Sequence, residues 1–225
     1  MTTGRPLSHM EHHRAIADRI VADLRPVRPR WPVGARLGAW LLLDLVVAAW
    51  VVTHTRVAFA AKLRWPSYAL ELAIFGGAAM LAALLALRSA VPGRDPRRIE
   101  VGLLVILAVG GSLLLASTPV RSDYLLSNFV RTGLPCAYMT CLLAAGPWLG
   151  LAWAVRRAAP MHGAISGALV GAGALLFSFA LMRIHCPVDE PLHLIAWHLM
   201  PVLIVIAASA FFGGRWLRFR PTAIT

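Results

Sequence analysis

The chain of 225 residues is 59% hydrophobic and only 14% charged, with a mean hydropathy of +0.70. A water-soluble domain of this length could not hide so much apolar surface, which leaves lipid as the solvent the sequence is built for. The formal charge of +12 would suit a nucleic-acid binder, but the basic residues lie almost entirely between the apolar runs, as membrane orientation requires, and this argues against direct nucleic-acid contact.

Residues 1–36 are the only sizeable soluble piece. Ile16, Ile20, Val21 and Leu24 fall on one face of a helix expected over roughly residues 9–24, while Arg14, Asp18, Arg19 and Asp23 point elsewhere. Ser8 with Glu11 resembles a capping box at its start. Helix cannot continue through Arg25-Pro26-Val27-Arg28-Pro29-Arg30-Trp31-Pro32, because each proline removes an amide donor and biases its predecessor toward extended backbone. The stretch reads as a stiff basic linker. The first apolar run begins only near Leu37, too late and behind too polar an approach for a cleavable signal peptide, so it is expected to be a retained span.

Runs of about 20 apolar residues, the length that crosses a bilayer core, are expected at 37–54, 67–88, 99–118, 134–155, 161–183 and 192–212, followed by a short basic tail over 213–225. The fold class is therefore all-α: a polytopic six-transmembrane-helix bundle over 37–212, preceded by a short N-terminal cytoplasmic amphipathic helix. With the N-terminus inside, sixteen basic residues fall in inner segments and six in outer ones. The positive-inside rule selects that orientation, with both termini cytoplasmic. In the fifth span Gly163, Gly167 and Gly171 recur every four residues, a small-residue stripe suited to close helix packing.

Ionisable residues at membrane depth need an account, and Asp44 and Glu71 are expected to make interhelical polar contacts. A transport pathway would call for several such groups and broken helices, and no corresponding set is visible. Cys136 stands at the outer start of the fourth span and Cys186 in the outer connection after the fifth, so the two share a level. Cys141 lies about 7.5 Å deeper and reads as a buried, apolar residue. Around Cys186 the sequence runs His185-Cys186-Pro187-Val188-Asp189-Glu190-Pro191-Leu192-His193, the densest group of metal-ligand residue types in the chain. Thiolate with imidazole suits a soft or borderline metal, two outer thiols could equally form a disulfide, and a prolyl loop facing water is the plain alternative. No usual four-ligand zinc spacing is present. His193 and His198 raise the thought of haem, but five α-helical steps turn them off a common face. No phosphate loop, serine triad or paired acid and base is visible, and no enzyme is expected.

The N-terminal phrase Ala22-Asp23-Leu24-Arg25-Pro26-Val27, the Pro/Arg linker, the six spans, and above all Arg156-Arg157-Ala158-Ala159-Pro160 followed by His185-Cys186-Pro187-Val188-Asp189 resemble the NrsF-like family of negative regulators of sigma factor F. The resemblance covers essentially the whole chain. It departs from the family's pattern in the additional Cys141 and in Ala158, where glycine is expected. It implies a membrane-bound anti-sigma factor of the bacterial inner membrane that holds an extracytoplasmic-function sigma factor inactive. It also implies that Cys136 and Cys186 sense heavy-metal or oxidative stress, through a transient metal ion or oxidation, with no resident cofactor.

On that footing the sigma factor is expected to dock on Ile16, Ile20, Val21 and Leu24, with Arg19 and Arg25 beside its acidic surface. His185, Asp189 and His193 are expected to assist the thiols or a metal bound by them. For the N-terminal helix the alternative is to lie on anionic lipid. Two rivals for the whole chain are a small transporter or metal-efflux component using Asp44, Glu71 and the Cys/His group, and a membrane thiol oxidoreductase using Cys136 and Cys141. Five helical steps turn those two thiols about 140° apart, which argues against dithiol exchange.

Overall fold

The computed structural model describes residues 9–22, 31–55, 59–117, 129–158 and 160–217, with all their side chains except those of His9, Glu11, His12, Ile20 and Phe59. The Ser8–Glu11 cap, Leu24 and the linker up to Arg30 lie outside that set. The chain divides into two compact units, Met1–Trp31 and Pro32–Thr225.

The first unit contains helix α1 (His9–Ala22), on which Arg14, Ile16, Arg19 and Val21 are all exposed within the unit. In the second unit follow α2 (Val33–His54), the single turn α3 (Phe59–Lys62), α4 (Pro66–Ser89), α5 (Arg98–Ala116), α6 (Phe129–Arg156), α7 (Gly163–His185) and α8 (Pro191–Trp216). There is no strand among the described residues. Six of the eight helices, all but α1 and α3, are long and apolar enough to cross a membrane. Their outward faces fit that solvent: Ile106 on α5 is 68% exposed and Val46 on α2 67% exposed, in the company of Leu42, Leu45 and Leu113. Water would not tolerate such a belt.

Helix boundaries follow local chemistry. Proline precedes α2 (Pro32) and opens α4 (Pro66) and α8 (Pro191), positions where its missing N–H has no helical partner to lose. Between α4 and α5 the chain reverses through Gly93, whose φ of +75° suits glycine alone. The Glu100 carboxylate then accepts the Arg97 N–H at 2.8 Å and pairs with Arg88, closing that turn. Three boundaries lie four or more residues from the hydropathy reading, one of them the end of α8, at Trp216 rather than 212. Helix α2 begins at Val33, before the apolar run, because the first turn of a span can be polar and the Arg36 N–H already bonds to the Pro32 carbonyl at 3.2 Å. Helix α6 begins at Phe129 and runs through both Pro135 and Pro147, which neighbouring helices make tolerable.

Helix α7 is the hub, packed against α4, α6 and α8 and buried along most of its length. Phe75 of α4 and Phe179 of α7 meet at 4.4 Å between ring centroids in the core. Against α8 the contact is backbone on backbone: a Cβ on Gly167 would stand 2.2 Å from the Ser209 carbonyl oxygen, and one on Gly213 2.7 Å from the Gly167 Cα. The glycine stripe read from the sequence thus lies in the α7–α8 crossing.

Candidate functional site

At the end of the bundle where α2, α5 and α7 finish and α4, α6 and α8 begin, chemistry-bearing side chains collect. Cys136 lies in the third turn of α6. Cys186 caps α7, its N–H donating to the Met182 carbonyl at 2.8 Å, and its side chain is buried. The two sulfurs, fifty positions apart in sequence, stand 3.7 Å from each other, and neither is bridged. His193, in the first turn of α8, brings Nε2 to 3.6 Å from the Cys186 sulfur. His198 completes the group, its ring centroid 5.3 Å from that of His193. One ligand atom from each of Cys136, Cys186, His193 and His198 lies within 4.8 Å of all the others.

His198 corrects the helical-wheel argument. Residues Ile195–Leu199 form a π-turn, in which the Met200 N–H reaches back five residues to the Ile195 carbonyl. Pro201 follows and has no N–H to give the α-helical ladder. The wide turn absorbs one residue, and two histidines five positions apart come to the same face.

The surroundings of the thiols are apolar: Val51, Leu143, Leu181 and Met182, with Val47 and Met139 packed against them. Both ring nitrogens of His198 are buried and without a hydrogen-bond partner among the described residues. A donor set of two sulfurs and two ring nitrogens, one ring unsatisfied, fits a soft or borderline metal ion.

Next to this group runs a chain of ion pairs that hydropathy did not reveal. Arg183, 3% exposed, grips Glu71 of α4 through Nε (2.5 Å) and its second terminal nitrogen (3.1 Å), and reaches Asp189 at 2.9 Å. Asp189 in turn receives Lys62 of α3 at 2.6 Å, and the Tyr68 hydroxyl donates to the Arg183 carbonyl at 2.7 Å. Asp189 is thereby committed to cations rather than to the thiols. His185 stands outside the four-residue group, with Nδ1 buried and unpartnered among the described residues.

The remaining acidic and thiol groups behave differently from each other. Glu71 makes an interhelical contact, whereas Asp44 is buried with neither carboxylate oxygen hydrogen-bonded among the described residues, so the polar contact expected for it is not made. Cys141 is exposed on the bundle surface, not buried, and lines an apolar groove with Trp148, Leu175 and Phe212. The reason is the same 140° rotation that separates it from Cys136: one thiol faces the core and the other faces lipid. Of the residues expected to meet a sigma factor, Ile16, Arg19 and Val21 are exposed on α1, and the Ile20 side chain, Leu24 and Arg25 lie outside the described set.

A family model described as "Negative regulator of sigma F" matches residues 20–219 of the chain. No curated protein matches, and no solved structure matches.

Proposed function

The chain belongs to the NrsF family of negative regulators of sigma F, and from that premise we propose that it is a membrane-tethered anti-sigma factor whose hold on an extracytoplasmic-function sigma factor is set by the Cys136–Cys186 pair. The observation that carries the sensing half is the convergence of those two thiols to 3.7 Å, in a buried pocket shared with two imidazoles. Membership in a family of regulators points to a protein without turnover.

Arg36, Arg88, Arg94, Arg97, Arg98, Arg156, Arg157 and Arg215 sit at or near the bundle end opposite the cysteines, and that basic end suits the cytoplasmic side of a bacterial inner membrane. The thiols then face the periplasm. The N-terminal segment faces the cytoplasm, where Ile16, Ile20, Val21 and Leu24 of this chain would enter a groove on the sigma factor, with Arg19 and Arg25 toward its acidic rim. The exposure of Ile16 and Val21 within their own unit supports that reading.

A signal at the thiols acts only if it favours one of two arrangements of the bundle. The connection from Cys186 to Pro191 is suited to that task, because it carries both a thiol and Asp189, the carboxylate shared by Arg183 and Lys62. A metal ion draws His198 and α8 in toward the thiols, and oxidation to a disulfide, with two electrons and two protons passed to an external oxidant, draws the sulfurs together from 3.7 Å. Either change strains this connection and the ion pairs tying α3, α4 and α7, and reaches the cytoplasmic side as release of the sigma factor.

Co-purification tests the partner. The full-length chain should retain its sigma factor, and Ile16→Asp combined with Ile20→Asp should abolish retention while leaving membrane insertion intact; undiminished retention would remove the groove mechanism. Labelling with a membrane-impermeant thiol reagent tests the orientation, since Trp65→Cys, at an exposed position of the cysteine end, should label from the periplasmic side only. Labelling of that variant from the cytoplasmic side would contradict it.

A further inference from the structure

We propose that Cys136, Cys186, His193 and His198 form a four-coordinate site for one divalent closed-shell ion of the zinc and cadmium kind, and that Trp197, seated on Gly133, is the positioning residue that delivers His198 to it. The inference rests on the reading of the thiol pair as the sensor, and it specifies that sensor's ligands, its stoichiometry and its selectivity.

Distances come first. Four ligands arranged tetrahedrally, at about 2.3 Å for metal to sulfur and about 2.0 Å for metal to nitrogen, stand roughly 3.8 Å apart sulfur to sulfur and roughly 3.5 Å sulfur to nitrogen. The structure has 3.7 Å between the sulfurs and 3.6 Å from the Cys186 sulfur to His193 Nε2. Two of the three distances among these donors are those the ion would set, and the third lies within 4.8 Å. His198 is the fourth, within 4.8 Å of the rest, fully buried, with both ring nitrogens lacking a hydrogen-bond partner among the described residues. A buried imidazole left without partners is costly, and a coordinated ion is the partner this pocket can supply.

Charge selects the ion. Two thiolates and two neutral imidazoles around a divalent cation make a neutral assembly, which the apolar shell of Val51, Leu143, Leu181 and Met182 accepts without an unbalanced charge. A monovalent ion would leave one negative charge buried. The neighbouring Arg183, Lys62, Glu71 and Asp189 balance among themselves and supply no correction. Hard ions such as magnesium and calcium prefer oxygen donors and are disfavoured by this set. As the two metal–sulfur bonds form, each thiol gives up its proton to water, so two protons leave for the two charges that enter.

The π-turn is what makes the set complete, and it is held in place. Trp197 lies inside it, one residue before His198, with its indole packed on α6: a Cβ on Gly133 would stand 2.1 Å from both Nε1 and Cε2 of that ring. Phe129 flanks the same ring at 5.3 Å. Only glycine at 133 lets the indole seat there, one helical turn before Cys136. Anything larger must push the ring, and the π-turn with it, away from α6 and the cysteines.

The test uses the full-length chain, purified in detergent under a reductant that does not bind metal, titrated with cadmium ion and followed by thiolate-to-metal charge-transfer absorption. The wild-type chain should bind one cadmium ion, zinc should compete, and magnesium should not. His198→Ala keeps both thiols and should bind at least tenfold more weakly. His198→Met, which returns a soft and neutral ligand, should bind more tightly than His198→Ala and guards against a folding defect. Gly133→Ala should also weaken binding at least tenfold, and Trp197→Leu added to it should recover most of the loss, which a generally damaged helix would not do. If the wild-type chain binds no cadmium ion, the metal reading of the thiol pair fails as a whole. Wild-type binding that is unaltered in His198→Ala overturns the four-ligand site alone and leaves a two-thiol sensor. Failure of Trp197→Leu to rescue Gly133→Ala overturns the positioning role.

Discussion

The two ends of the bundle are built on different principles. At the arginine-rich end the helices close on one another through small groups: Gly167 and Gly213 let α7 and α8 touch backbone to backbone, and Ser89 meets Ser166 at 2.8 Å between hydroxyl oxygens while also donating to the Ala86 carbonyl. At the cysteine end contact is made by long, charged or polarisable side chains around a short connection, with nitrogens on His185, Trp197 and His198 that have no hydrogen-bond partner among the described residues. Backbone-to-backbone crossings have one good arrangement. Ion pairs and thiols that can gain or lose a ligand have more than one, which is where a signal can be received.

The largest effect is expected where this contrast is sharpest. Arg183→Met leaves Glu71 buried with no cation and should cost about 3–5 kcal/mol, read as a fall in the thermal midpoint in detergent. Adding Glu71→Leu should restore most of that loss, because a buried ion pair can be exchanged for packed apolar groups at small net cost. If the double variant is as unstable as the single one, the pair is doing more than neutralising charge.

Next comes the packed end. Gly167→Ala places a methyl against the Ser209 carbonyl and should cost about 1–3 kcal/mol, read as a lower thermal midpoint in detergent. An unchanged midpoint would show that this crossing is looser than its backbone contacts indicate. Ser89→Ala removes the hydroxyl that accepts from Ser166 and donates to the Ala86 carbonyl, and should cost about 1 kcal/mol by the same measurement. Smallest is Gly102→Ala in α5, where a Cβ meets nothing within 4 Å: relief of glycine's entropic cost in a helix should stabilise the protein by about 0.5 kcal/mol.

These two ends were unequally legible in the sequence. Six spans, the close-packing glycines and the charge bias follow from hydropathy and spacing, because lipid imposes length and composition on any helix that crosses it. Cys136 and Cys186 could be placed at one level by counting rise along the helices. His198 could not be placed with them, since counting assumes an α-helical turn throughout; Pro201, inside an apolar run just after two histidines, was the signal that the turn widens. Arg183 and Glu71 are 112 positions apart, and their pairing depends on which helices become neighbours, a property of the assembled bundle. The position of Cys141 on the lipid-facing surface was implicit in its rotation from Cys136, but an exposed thiol and a buried one look alike in a span where both solvents are apolar.

The central claim is that occupation of the thiol group at one end governs the hold on a sigma factor at the other. The direct measurement is the amount of sigma factor that co-purifies with the full-length chain as cadmium ion is raised, for wild type and for Cys186→Ser. Wild type should lose its partner over the concentration range in which the ion binds, and Cys186→Ser should keep it throughout. Release from Cys186→Ser at the wild-type concentration, or full retention by wild type with the site filled, would contradict the account.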